Sequence, residues 1–145
     1  MKLQTRLSRL RVILKAGLTY FGLVFGTGFI LGTIRVLFIV PRFGARLAEL
    51  IEWPLMLTVT ILAASWVVRR FRVSVGASDR IAVGLLAIIL LIALELTIVL
   101  WLRGLSLGDY FRERDPVAGT VYYLLLVVFA VMPLLVGRKP VTAGD

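Results

Sequence analysis

The chain has 145 residues, is 60% hydrophobic and only 17% charged, and carries a formal net charge of +9 with a mean hydropathy of +0.99. A 16.1 kDa globule cannot bury that much apolar side chain, so hydrocarbon must be part of the solvent, which excludes soluble enzymes, disulfide-rich secreted domains and disordered tails. With no Cys and no His, thiol redox chemistry, thiolate or imidazole metal sites, haem ligation by His and His-based triads are excluded too, and no cofactor is expected.

Residues 1–15 come first. Leu3, Leu7, Leu10 and Leu14 recur at the spacing of one helix face, with Lys2, Arg6 and Arg9 on the other. This pattern predicts an amphipathic helix lying on the cytoplasmic leaflet. It is not read as a signal peptide, because the apolar run that follows is too long and lacks a small-residue cleavage site.

Four apolar stretches follow within a transmembrane domain of residues 16–137, each near the roughly 20 residues needed to cross a hydrocarbon core. Span one, 17–40, stops at Pro41 and holds two GxxxG spacings, Gly22–Gly26 and Gly28–Gly32, which predict close helix packing. Span two, 47–68, opens on Glu49, Glu52, Trp53 and Pro54. Its glutamate stripe continues through Met56, Thr60 and Ala63. Span three, 81–102, follows the capping candidates Ser78 and Asp79. The segment after it, Arg103 to Pro116, mixes Leu105, Leu107, Tyr110 and Phe111 with charges and reads as a lid in the interface. Span four, 117–136, follows an Asp115 cap with Pro116 at the first helical position. Residues 138–145 form a tail.

In lipid every backbone polar group needs an internal partner, so the spans are expected to be helical. The fold class predicted is an all-α membrane protein with four transmembrane helices in an antiparallel up-down bundle, preceded by the interfacial N-terminal helix.

Arginine and lysine set the orientation. Eleven fall in the N-terminal segment, the loop between spans two and three, and the tail; five fall in the other two loops. Both termini are therefore expected to be cytoplasmic in a bacterial inner membrane, the bacterial source being suggested by fourteen arginines against three lysines. The net charge reads as this orientation signal plus attraction to anionic lipid on the cytoplasmic side, not as a nucleic-acid footprint. A homo-oligomer or a larger membrane complex is the other partnership expected.

Two ionisable residues interrupt the spans. Arg35 lies five residues short of the outer end of span one, and Glu95 seven short of that of span three. Their depths differ by only about 3 Å, which predicts a facing pair in the outer half of the bundle. The alternative is that Arg35 snorkels outward while Glu95 is protonated. Glu49 and Glu52 enter the same level. One of Tyr122 and Tyr123 should point inward as a hydroxyl donor to Glu52 or Glu95, since neighbouring helical residues face about 100° apart.

The expected polar cluster is thus Arg35, Glu49, Glu52, Glu95, Tyr122 and Tyr123. No nucleotide loop, zinc-protease motif or nucleophile elbow is present, so the balance leans away from an enzyme. The favoured reading is a small polytopic protein acting as a binding or accessory subunit. An oligomeric or proton-coupled transporter, and an enzyme or binder for a lipid, quinone or isoprenoid, are the alternatives.

Overall fold

The computed structural model describes residues 1–74, 76–102, 104, 106–113 and 115–136, and all its regular structure is helical. Four helices are long and apolar enough to cross a membrane: α1 (Lys2–Phe43), α2 (Ala45–Arg70), α3 (Ala77–Leu102) and α5 (Pro116–Leu135). A short helix, α4 (Leu107–Arg112), lies between the last two.

Local chemistry explains where they end. Between α1 and α2 stands Gly44 alone, at φ 81°, a conformation glycine adopts without steric cost. Pro116 occupies the first turn of α5, and the Asp115 carboxylate accepts the N–H groups of Val117 and Ala118, each at 3.0 Å. Hydroxyls inside the helices are satisfied locally: Thr27, Thr33, Thr60 and Thr97 each donate to the carbonyl four residues back.

Residues 2–15 are not a separate helix: they are the first turns of α1, which stays helical through 42 residues, about 63 Å at 1.5 Å per residue. No proline or glycine falls within residues 2–15, and their Leu, Arg and Lys residues favour helix. Packing fixes the direction as well: Val12 and Ile13 rest against the core, and Arg9 pairs with Asp79 of α3 at 2.7 Å. Leu3, Leu7, Leu10 and Leu14 remain exposed along the outer side of this extension.

Each long helix packs against two others, α1 against α2 and α3, and α5 against the same pair. The buried core is concentrated at one end of this arrangement. It is built from Ala16, Tyr20 and Val24 of α1, Ala63, Ala64 and Val67 of α2, Val83 and Ala87 of α3, and Phe129 and Met132 of α5. Small residues let the backbones approach there. A Cβ placed on Gly84 would lie 1.8 Å from the carbonyl oxygen of Ala130, so α3 and α5 touch backbone to backbone. On Gly17 it would meet Leu86 at 2.6 Å.

Across this core Tyr20 donates its hydroxyl to the carbonyl of Phe129 at 2.7 Å, with the two rings stacked 4.6 Å apart. The sequence supplies the reason. Residue 133 is proline, which has no N–H to give to Phe129 four residues back, and Tyr20 takes its place.

Candidate functional site

Beyond Val24, Thr60 and Phe129, all nearly fully buried, the four long helices separate around a cavity of about 650 Å³. From α1 the wall takes Phe25, Gly28, Phe29, Gly32 and Arg35; from α2, Glu49, Glu52, Trp53 and Met56. Leu91 and Glu95 come from α3, and Val121, Tyr122 and Leu125 from α5. Phe29, Val36 and Leu37 border the space and are themselves exposed, so the chamber opens along α1. Its lining is mainly apolar, with the polar groups gathered away from the core.

Arg35 faces two carboxylates on α2. Its Nη1 is 3.1 Å from Oε1 of Glu49, and its Nε is 2.9 Å from Oε2 of Glu52. The Nε–H is buried yet out of line with that oxygen, so the second contact is an ion pair without an aligned hydrogen bond. Glu52 is the most enclosed of the three, with 17% of its side chain exposed, against 25% for Arg35 and 37% for Glu49. On the opposite wall the Tyr122 hydroxyl donates to Oε2 of Glu95.

The structure therefore brings Arg35, Glu49, Glu52, Glu95 and Tyr122 to one chamber, but it divides them differently from the expected facing pair. Arg35 turns to α2 and not to Glu95, because Glu49 and Glu52 stand one turn apart on the adjacent helix and both come within reach of one guanidinium. Tyr123 points elsewhere: it is exposed, and its ring meets that of Tyr122 edge-on at 5.7 Å.

Arg35 and Glu95 both sit beside widened helical turns. Arg35–Ile39 and Ile98–Leu102 are π-helical, and the Val40 N–H reaches back five residues to the carbonyl of Arg35. Such turns re-aim the side chains that follow them and recur at functional sites.

The glycines of span one divide as well. Gly28 faces the Met56 methyl group, 3.2 Å from where a Cβ would sit, whereas at Gly22, Gly26 and Gly32 a Cβ would meet nothing within 4 Å. Closer helix contacts rest instead on Gly84 and Gly17, which the GxxxG spacing does not include. Two further ties were not anticipated: Arg9 to Asp79 at the core end, and Arg46 to Asp115 at 2.7 Å at the chamber end. That arginine and the Ala118 N–H hold the Asp115 carboxyl below the usual carboxylate range.

The lid expectation rests on Leu105 and on the side chains of Tyr110 and Phe111, which lie outside the described residues, as do Arg103, Arg114 and the tail with Arg138 and Lys139. Among the described residues no three carboxylates converge as a metal site. Comparison with protein families, curated proteins and solved structures finds no match to this chain.

Proposed function

We propose that the protein is a membrane-embedded binding protein that takes a small amphipathic molecule into the chamber between its four long helices. The observation that carries this reading is the chamber itself. Its 650 Å³ lies within the about 300–1,000 Å³ of small-molecule sites, and mainly apolar walls with a few convergent polar groups are the usual make-up of such sites. An apolar body would occupy the space beside Phe25, Phe29 and Leu91. Its polar end would meet the groups around Arg35 and Glu95.

In this reading the helices form an up-down bundle in a bacterial inner membrane with both termini cytoplasmic. Support comes from the arginine and lysine distribution, and from the ends that meet. Arg35, late in α1, pairs with the start of α2, while Arg9 and Asp79 bring the starts of α1 and α3 together. The chamber then lies in the outer half. Outward-facing Gly22 and Gly26 offer a close-approach surface for a second copy or a larger complex.

Trp53 reports directly on the chamber. With the exposed Trp66 and Trp101 replaced by Phe, the purified protein is titrated with the neutral apolar fluorophore N-phenyl-1-naphthylamine. Saturable energy transfer from Trp53 at one probe per chain is expected. Transfer that rises linearly with probe, as for partition into the micelle, would sink the reading.

A further inference from the structure

On the outside of the bundle a groove runs between α1 and α2, and we propose that it seats a membrane phospholipid with an anionic head group. Its walls are Leu23 of α1 and Leu62, Ser65, Trp66, Arg69 and Arg70 of α2. The site is separate from the chamber and does not depend on what the chamber binds.

The order of these residues carries the argument. Positions 62, 65, 66, 69 and 70 form one stripe on α2, about 12 Å long at 1.5 Å per residue. Leu23, Leu62 and Trp66 are exposed, so the deeper part of the groove offers apolar surface to the bilayer. The stripe ends on two exposed arginines in the last turn of α2, where its apolar run stops. At that depth a membrane helix leaves hydrocarbon for the head groups. An acyl chain lying along Leu23 and Leu62 therefore brings its phosphate to the guanidinium groups. Guanidinium presents paired N–H donors that match a phosphate's oxygens, and Trp66, one turn before Arg70, is suited to the interface.

Neither arginine is engaged by a carboxylate among the described residues, in contrast to Arg9, Arg35 and Arg46. The backbone just beyond adds a third arginine. The Arg72 N–H bonds the carbonyl of Arg69 and the Val73 N–H that of Val68, which closes α2 through a left-handed residue. Glycine takes that place without strain, yet Arg72 holds it at φ 48°. Charge is thus kept at this helix end against the local preference of the backbone. A zwitterionic head would bring its own cation to these arginines, whereas an anionic one would not.

Trp66 reports on the groove. With Trp53 and Trp101 replaced by Phe, the full chain is reconstituted in vesicles of phosphatidylglycerol and phosphatidylcholine at equal mole fractions. One lipid or the other carries bromine on its acyl chains, and bromine quenches an indole that it touches. Brominated phosphatidylglycerol is expected to quench Trp66 as if enriched beside it at least about fivefold. Arg69→Gln together with Arg70→Gln should abolish that enrichment. Lys2→Gln together with Arg6→Gln removes equal charge from the exposed start of α1 and should leave it intact. Equal quenching by the two lipids overturns the proposal, as does an enrichment that falls equally in both pairs of variants, which would mark general surface charge. Loss of the enrichment on adding inorganic phosphate would assign the arginines to a free anion and overturn the lipid assignment.

Discussion

At Tyr20 the long helices are in contact and a hydroxyl joins two of them; about three turns further along α1, at Gly32, the same helix borders a chamber of 650 Å³. The packed half uses Ala and Gly where backbones meet, and the Tyr20 hydroxyl there answers a carbonyl that proline leaves open. The hollow half lines its space with Phe, Leu and Trp and places ionisable groups there, each of which costs roughly 2.5–3.5 kcal/mol at the centre of a membrane helix. Identical helices thus serve two purposes. One end holds the assembly together by close backbone contact, and the other carries the ionisable groups, with Arg35 tying α1 to α2 across its wall.

If this contrast is right, glycine substitutions should have opposite effects in the two halves. Gly84→Ala places a methyl group 1.8 Å from the backbone of α5, and no side chain is available to yield. A loss on the order of 4 kcal/mol or more, read as failure to give a folded species in detergent, is the largest effect expected. In the chamber, Gly32→Leu meets open space and replaces the poorer helix former, so thermal unfolding should be unchanged or shifted upward.

Removing Arg35 comes next in size. Arg35→Ala leaves Glu49 and Glu52 facing each other without a cation, at a cost on the order of 2 kcal/mol. That is less than for a fully buried pair, because Glu49 keeps more than a third of its surface. Adding Glu52→Gln should restore part of the loss in the same unfolding measurement.

Tyr20→Phe should cost about 1–2 kcal/mol by orphaning the Phe129 carbonyl. Pro133→Ala returns an N–H at the position that carbonyl needs, so Tyr20→Phe should cost measurably less in that background. Equal costs in both backgrounds would separate the hydroxyl from the proline.

Acid provides the smallest effect. Arg46 and the capping N–H groups favour the Asp115 carboxylate, so this group's folded pKa lies below its unfolded value near 3.9. Its contribution is therefore present above about pH 4 and is lost as pH falls through the folded pKa. Asp115→Asn should lower the unfolding temperature at pH 6 and narrow the difference between pH 6 and pH 3.

Much of this is legible in the sequence. Four spans follow from composition and length, and the capping of α5 follows from Asp115 and Pro116. Depth arithmetic along the helices placed Arg35, Glu49, Glu52, Glu95 and one tyrosine at a common level, because rise per residue is nearly constant in a helix. Partner choice was not legible: whether Arg35 meets α2 or α3 depends on rotation and on the π turn that begins at Arg35. The GxxxG spacing misdirected attention for a related reason. A spacing marks a smooth face without saying whether it looks inward, and Gly22 looks outward while Gly84, outside any such pair, meets the backbone of α5. The bridge from Tyr20 did have a signal, a proline inside a span with an unmatched carbonyl four residues earlier.

The claim that the hollow half is a binding chamber is tested most directly by Gly32→Leu in the N-phenyl-1-naphthylamine titration. Saturable transfer from Trp53 in the parent protein, lost or weakened about tenfold or more in the variant while its unfolding temperature holds, is the predicted result. Undiminished saturable binding by a folded Gly32→Leu protein would contradict it.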